Sequence, residues 1–164
     1  YVWQRDWSPA VKTAVTEHAG EFAGVAVLGA QLSWKDGREE MEGVRPRIDW
    51  AVTGAASRMV TAVIRLENPV PADAARLKQS VVDEARRLIA AAHDAGASMT
   101  AVQIDFDCPQ RRLADYTAWL HLVERELEPL PVHVVHPEGR RASAKVRAFV
   151  DLAVERLRAD RHIN

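Results

Sequence analysis

From Val102 to Asp107 the chain alternates between apolar and polar residues. Val102, Ile104 and Phe106 fall on one side, and Gln103, Asp105 and Asp107 on the other. This is the period of a β-strand. Cys108-Pro109 ends it, because proline lacks the N–H that a ladder needs and restricts the residue before it. Leu113, Tyr116, Leu120 and Val123 then recur at helical spacing, so a helix follows, to about Glu128. Asp105 and Asp107 lie two apart, which sends both carboxylates to one face near the C-terminal end of the strand. In α/β folds chemistry is usually placed at that end.

The same reading extends over the rest of the chain. Tyr1-Val-Trp-Gln4 predicts a short first strand. Ser8-Pro9 predicts a helix start, with serine as N-cap and proline in the first turn. Val11, Ala14, Val15 and His18 share its inner face, and it ends near Gly20. Residues 22–32 are apolar almost throughout, as expected of a strand buried on both faces of a parallel sheet. Trp34-Lys-Asp-Gly37 reads as a turn. Residues 38–47 are charged, hold Gly43 and Pro46, and read as a loop. Residues 48–56 suit either a short helix or a weak strand.

Met59 to Leu66, rich in β-branched residues, predicts the next strand, and Asn68-Pro-Val-Pro71 breaks it. Asp73 caps a long helix to about Ala95, with Leu77, Val81, Ala85, Leu88 and Ala92 along one stripe and Gly96 as its C-cap. After Pro129 and Pro131, residues 132–136 predict a fifth strand, 137–141 a turn and 142–160 a final helix. Strands that alternate with helices argue for parallel βαβ units. The expected fold is therefore α/β, with about five mostly parallel strands. It would form an open sheet covered by helices on both sides, or a partial (β/α) barrel.

The chain has 164 residues, which sets one domain as the expectation. Its 22 basic and 23 acidic residues give a net charge of −1, too small a field to draw nucleic acid. Basic residues between Arg140 and Arg161 are interleaved with acidic ones and read as a solvated helix face. A single cysteine, Cys108, excludes an internal disulfide and any multi-cysteine zinc site. No apolar run reaches the ~18 residues of a membrane span. The first residue is Tyr1 rather than methionine, so a processed or trimmed product is expected.

The candidate chemistry is confined to a few side chains. Asp105 and Asp107 suit acid–base or nucleophilic work on a sugar, or a divalent cation. The structural alternative is that Asp107 caps the next helix and Asp105 pairs with Arg65 or Arg5. Arg5 and Arg65 follow strand ends and suit a carboxylate or phosphate ligand, or an ion pair with these aspartates or Glu67. Trp3 and Trp34, near strand ends, offer rings for stacking on a sugar, whereas Trp119 falls on the apolar stripe of a helix. Cys108 reads as a buried, inert thiol. His133 and His136 face opposite sides of a strand, which is poor geometry for one metal ion. No metal or cofactor motif is present: His-Glu-x-x-His, a P-loop and Gly-x-Gly-x-x-Gly are all missing.

Several motifs also carry family resemblances. Tyr1-Val-Trp-Gln-Arg5 with Trp7-Ser-Pro9, Val27-Leu-Gly-Ala30 with Ser33-Trp34, Val63-Ile-Arg-Leu66, and Val102-Gln-Ile-Asp-Phe-Asp-Cys-Pro109 with Leu113, Tyr116 and Trp119-Leu120 resemble the DUF3142 family of bacterial proteins. The likeness covers residues 1 to about 128. It implies an exported protein and the first half of a glycoside-hydrolase-like (β/α) barrel, with no established substrate. From about Leu130, Pro131-Val-His-Val-Val-His-Pro-Glu-Gly-Arg140 and Ser143-Ala-Lys-Val-Arg-Ala-Phe-Val-Asp151 resemble the end of the effector-binding domain of LysR-type regulators. The DNA-binding part of those regulators has no counterpart here.

The two resemblances meet near Glu128-Pro-Leu-Pro131, so the chain reads as a chimera, whether recombined, engineered or generated. The first expectation is a folded α/β domain without turnover, because a complete barrel needs roughly 250 residues. The alternative is a carbohydrate-binding or glycoside-hydrolase-like protein that uses Asp105 and Asp107 with Trp3, Arg5, Trp34 and Arg65. The partners expected are a second copy, paired through an exposed sheet edge, and a glycan.

Overall fold

The computed structural model describes residues 1–34, 41–67, 73–128 and 132–135. Helix α1 spans Pro9–His18, strand β1 Val25–Trp34, β2 Met41–Val44, helix α2 Trp50–Ala56 and β3 Val60–Leu66. Helix α3 spans Ala74–Asp94, β4 Met99–Phe106, α4 Leu113–Leu127 and β5 Val132–Val135. The strands form one open sheet in the order β2-β1-β3-β4-β5. β1, β3, β4 and β5 are parallel, and β2 is antiparallel to β1, so the sheet is mixed.

Four of the five expected strands are present. The one expected at Tyr1–Gln4 is reduced to an isolated parallel bridge, Val2 to Val27. Two backbone hydrogen bonds hold it, Val2 N–H to Ala26 O at 2.7 Å and Leu28 N–H to Val2 O at 2.9 Å. The charged run expected as a loop contains β2. An edge strand needs no continuous apolar run, which is why residues 41–44 carry no strand signal. Residues 48–56 resolve to a helix: Asp49 caps α2 by accepting from Val52 N–H at 3.1 Å. The Lys12 ammonium, 2.8 Å from Asp49, and this cap hold its carboxyl below the usual carboxylate range and tie α1 to α2.

Helix α3 follows its sequence signals closely. Asp73 accepts from Ala75 and Arg76 N–H at 2.9 and 3.2 Å. Gly96 ends the helix at φ +74°, where a side chain would be strained. The break at Asn68–Pro71, the turn at 137–141 and the helix at 142–160 lie outside the described residues.

Register sorts the sheet into two faces. Val27, Ala62 and Val102 form one row, followed by Ala30, Ile64 and Ile104, then Leu32, Leu66 and Phe106. These rows make one core with Val15 of α1, Trp50 of α2, Val81, Ala85 and Leu88 of α3, and Leu120 and Val123 of α4. The other face carries Ala26, Thr61 and Ala101, then Leu28, Val63 and Gln103, then Gln31, Arg65 and Asp105. The described helices therefore lie on one face, and the expected helix at 142–160 lies outside the described residues. The cause of this one-sided placement is the strand order. β1, β3, β4 and β5 are added successively in one direction, and right-handed crossovers then return every helix to the same side. Helices on both faces require the order to reverse.

A bulge sets the faces of β1. The register with β3 shifts between Leu28 and Ala30, leaving Gly29 as the extra residue. Ala30, Leu32 and Trp34 thereby turn into the core, and Gln31 turns onto the other face.

Candidate functional site

The face opposite the described helices carries a polar row at the C-terminal ends of the parallel strands. Gln31, Arg65 and Asp105 are consecutive partners across β1, β3 and β4. Arg65 Nη1 donates to Asp105 Oδ2 at 3.0 Å, and Nη2 lies 3.9 Å from Asp107 Oδ2. Arg5 Nη2 donates to Gln31 Oε1 at 2.6 Å, and Gln31 Nε2 donates to Glu67 Oε1. A chain of hydrogen bonds, Arg5–Gln31–Glu67, and an ion-paired group, Asp105–Arg65–Asp107, thus lie side by side.

The Val2 bridge delivers the N-terminal segment to this face. Tyr1 donates its hydroxyl to Gln103 Oε1 at 3.0 Å. Trp3 stacks on Tyr1, with ring centroids 6.0 Å apart and planes 9° from parallel. Tyr1 and Trp3 remain 69% and 42% exposed. Arg5 continues the alternation and reaches Gln31. A broad aromatic surface therefore stands next to planar donors and acceptors.

The expected site residues divide accordingly. Trp3, Arg5, Arg65, Asp105 and Asp107 come together on or beside this face. Trp34 does not: it is 3% exposed in the helix-side core, so its ring offers no surface to a sugar. Asp107 does not cap the following helix. Gln110–Arg112 form a single 3-10 turn, and α4 begins after Arg112 without a side-chain cap. Asp105 pairs with Arg65, one of the two structural partners considered for it. Trp119 is core, donating its indole N–H to Ala74 O at 3.1 Å. Gln31, Gln103 and Tyr1 are site residues that the pattern of the chain did not single out. For Gln103 there was a signal: a carboxamide in the middle of an otherwise buried strand.

Behind the end of β4, Tyr116 packs edge-on to Phe106 at 5.2 Å and stacks on Trp119 at 5.7 Å. Burial, with Cys108 and Asp105 nearby, pushes its phenol well above the usual range. Burial likewise pushes the Cys108 thiol up, which keeps it in the unreactive, protonated form. Among the described residues no cluster of three or more histidine, cysteine, aspartate or glutamate side chains could hold a metal ion. None of the described helices is long and apolar enough to cross a membrane.

No family model, no curated protein and no solved structure matches the chain.

Proposed function

We propose that this chain is a carbohydrate-binding α/β domain with the plan of half a (β/α) barrel, and that it binds glycan on the face opposite the described helices without hydrolysing it. The observation that carries this reading is the convergence of Tyr1, Trp3 and Arg5 with Gln31, Arg65, Gln103 and Asp105 on one face of the sheet. A pyranose presents a flat C–H surface and a rim of hydroxyls. The first suits stacked aromatic rings, and the second suits a few fixed planar donors and acceptors. Described helices that all lie on one face and a parallel strand order that runs in one direction are what a segment of such a barrel has, and the opposite face would be the barrel's inner wall.

Binding without turnover follows from where the carboxylates point. Glycoside hydrolysis needs two carboxyl groups flanking the scissile bond. Asp105 and Asp107 instead converge on one guanidinium, and Glu67 is engaged by Gln31. The proposal also takes the chain as a chimera joined near Pro129–Pro131. The parallel pairing of β5 with β4 is the pairing such a join requires.

The test is calorimetric titration of neutral gluco-, xylo-, manno- and N-acetylated oligosaccharides, with product analysis of the same samples. At least one series is expected to bind and none to be cleaved. Trp3→Ala and Arg65→Ala should each weaken binding about tenfold, the equivalent of ~1.4 kcal/mol. Absence of binding across the panel, or unchanged affinity in both variants, would overturn the reading.

A further inference from the structure

Next to the polar row, toward the N-terminal ends of the strands, lies a depression of about 370 Å³. Tyr1, Ala26, Met59, Thr61 and Gln103 are among the residues that line it. Its wall is mixed. Ala26 and Met59 are apolar, Thr61 brings a hydroxyl, and Gln103 brings a carboxamide that is only 4% exposed. A buried carboxamide is costly unless its hydrogen-bonding groups are used. The Tyr1 hydroxyl takes one acceptor position on Oε1.

This pairing creates a matched donor and acceptor. The Tyr1 oxygen donates its proton to Gln103 and keeps lone pairs that can accept. The Gln103 carboxamide carries N–H donors at its other end. A secondary amide presents the complement, one C=O and one N–H, and an acetamido group adds a methyl that suits the Ala26 and Met59 wall. We propose that this depression is a subsite for the acetamido group of a 2-acetamido sugar whose ring lies against Tyr1 and Trp3. The inference rests on the glycan reading above and names the substrate class of that face.

The test compares N-acetylchitotriose with cellotriose, which has the same backbone but hydroxyls in place of the acetamido groups. The intact chain is expected to prefer N-acetylchitotriose about tenfold or more, as two additional neutral hydrogen bonds and a buried methyl would give. Gln103→Met removes the carboxamide at similar length. Tyr1→Phe removes the acceptor at an exposed ring, where folding is not at stake. Both variants should bring the preference for N-acetylchitotriose over cellotriose, measured as the ratio of the two affinities in each variant, below about threefold. Equal binding of the two trisaccharides by the intact chain would overturn the acetamido subsite and leave glycan binding standing. A preference that survives both substitutions would also overturn it. If neither trisaccharide nor any other glycan binds, both proposals fall.

Discussion

Glu84→Ala is expected to lower the unfolding free energy by roughly 3 kcal/mol, at the lower end of the range for breaking a buried ion pair. Glu84 is 3% exposed on α3 and accepts from two arginines. Arg45, just past β2, reaches its two oxygens with Nε at 3.0 and 3.3 Å. Arg87, one turn along α3, reaches it with Nε at 2.8 Å, and its Nη2 lies 3.5 Å from the Gly29 carbonyl. The carboxylate thus ties the exit of β2 and the bulge of β1 to α3. Both arginines are partly exposed and can turn toward water, which keeps the cost from reaching the upper end of the range. Urea unfolding followed by circular dichroism measures it. A loss below about 1 kcal/mol would show that the cluster behaves as an ordinary surface pair.

The second large effect sits beside the first. Leu88→Ala should cost ~2–5 kcal/mol, because Leu88 is fully enclosed between α3 and the sheet. Its methyl carbons lie where a side chain on Gly29 would go: an added Cβ would stand 2.7 and 2.9 Å from them. Gly29→Ala alone should therefore destabilise by ~1–3 kcal/mol through overpacking. In the Leu88→Ala background the same methyl enters vacated space. The double variant should lose less stability than the two single losses added together, by ~1 kcal/mol or more. Strict additivity would mean that Leu88 does not fix the bulge.

The bulge also explains what could and could not be read from the chain. Helix α3 was legible from end to end, because Asp73, its apolar stripe and Gly96 all agree. β3 and β4 were legible from their own patterns, but the partner of Asp105 was left between Arg65 and Arg5 until the register placed Arg65 beside it. Alternation alone, however, assumes an unbroken strand. In β1 the extra residue at Gly29 exchanges the faces beyond it, sending Gln31 to the site and Trp34 to the core. Trp34 looked like a sugar-stacking ring because no residue pattern announces the bulge. Strand order is equally silent in a list of elements, so the choice between helices on one face and on both was not available. The segment Tyr1–Arg5 has strand-like alternation, yet forms only one bridge. Its alternation nevertheless places Tyr1, Trp3 and Arg5 where the site is built.

The central claim is that glycan binds at the polar row, on the face opposite the described helices. Amide chemical-shift mapping on the isotopically labelled chain, titrated with the tightest oligosaccharide from the panel, tests it most directly. Shifts should concentrate at Trp3, Gln31, Arg65, Gln103 and Asp105, with α3 residues such as Val81 and Ala85 unmoved on the opposite side of the sheet. Shifts centred on the helix layer, or none at saturating sugar, would contradict it.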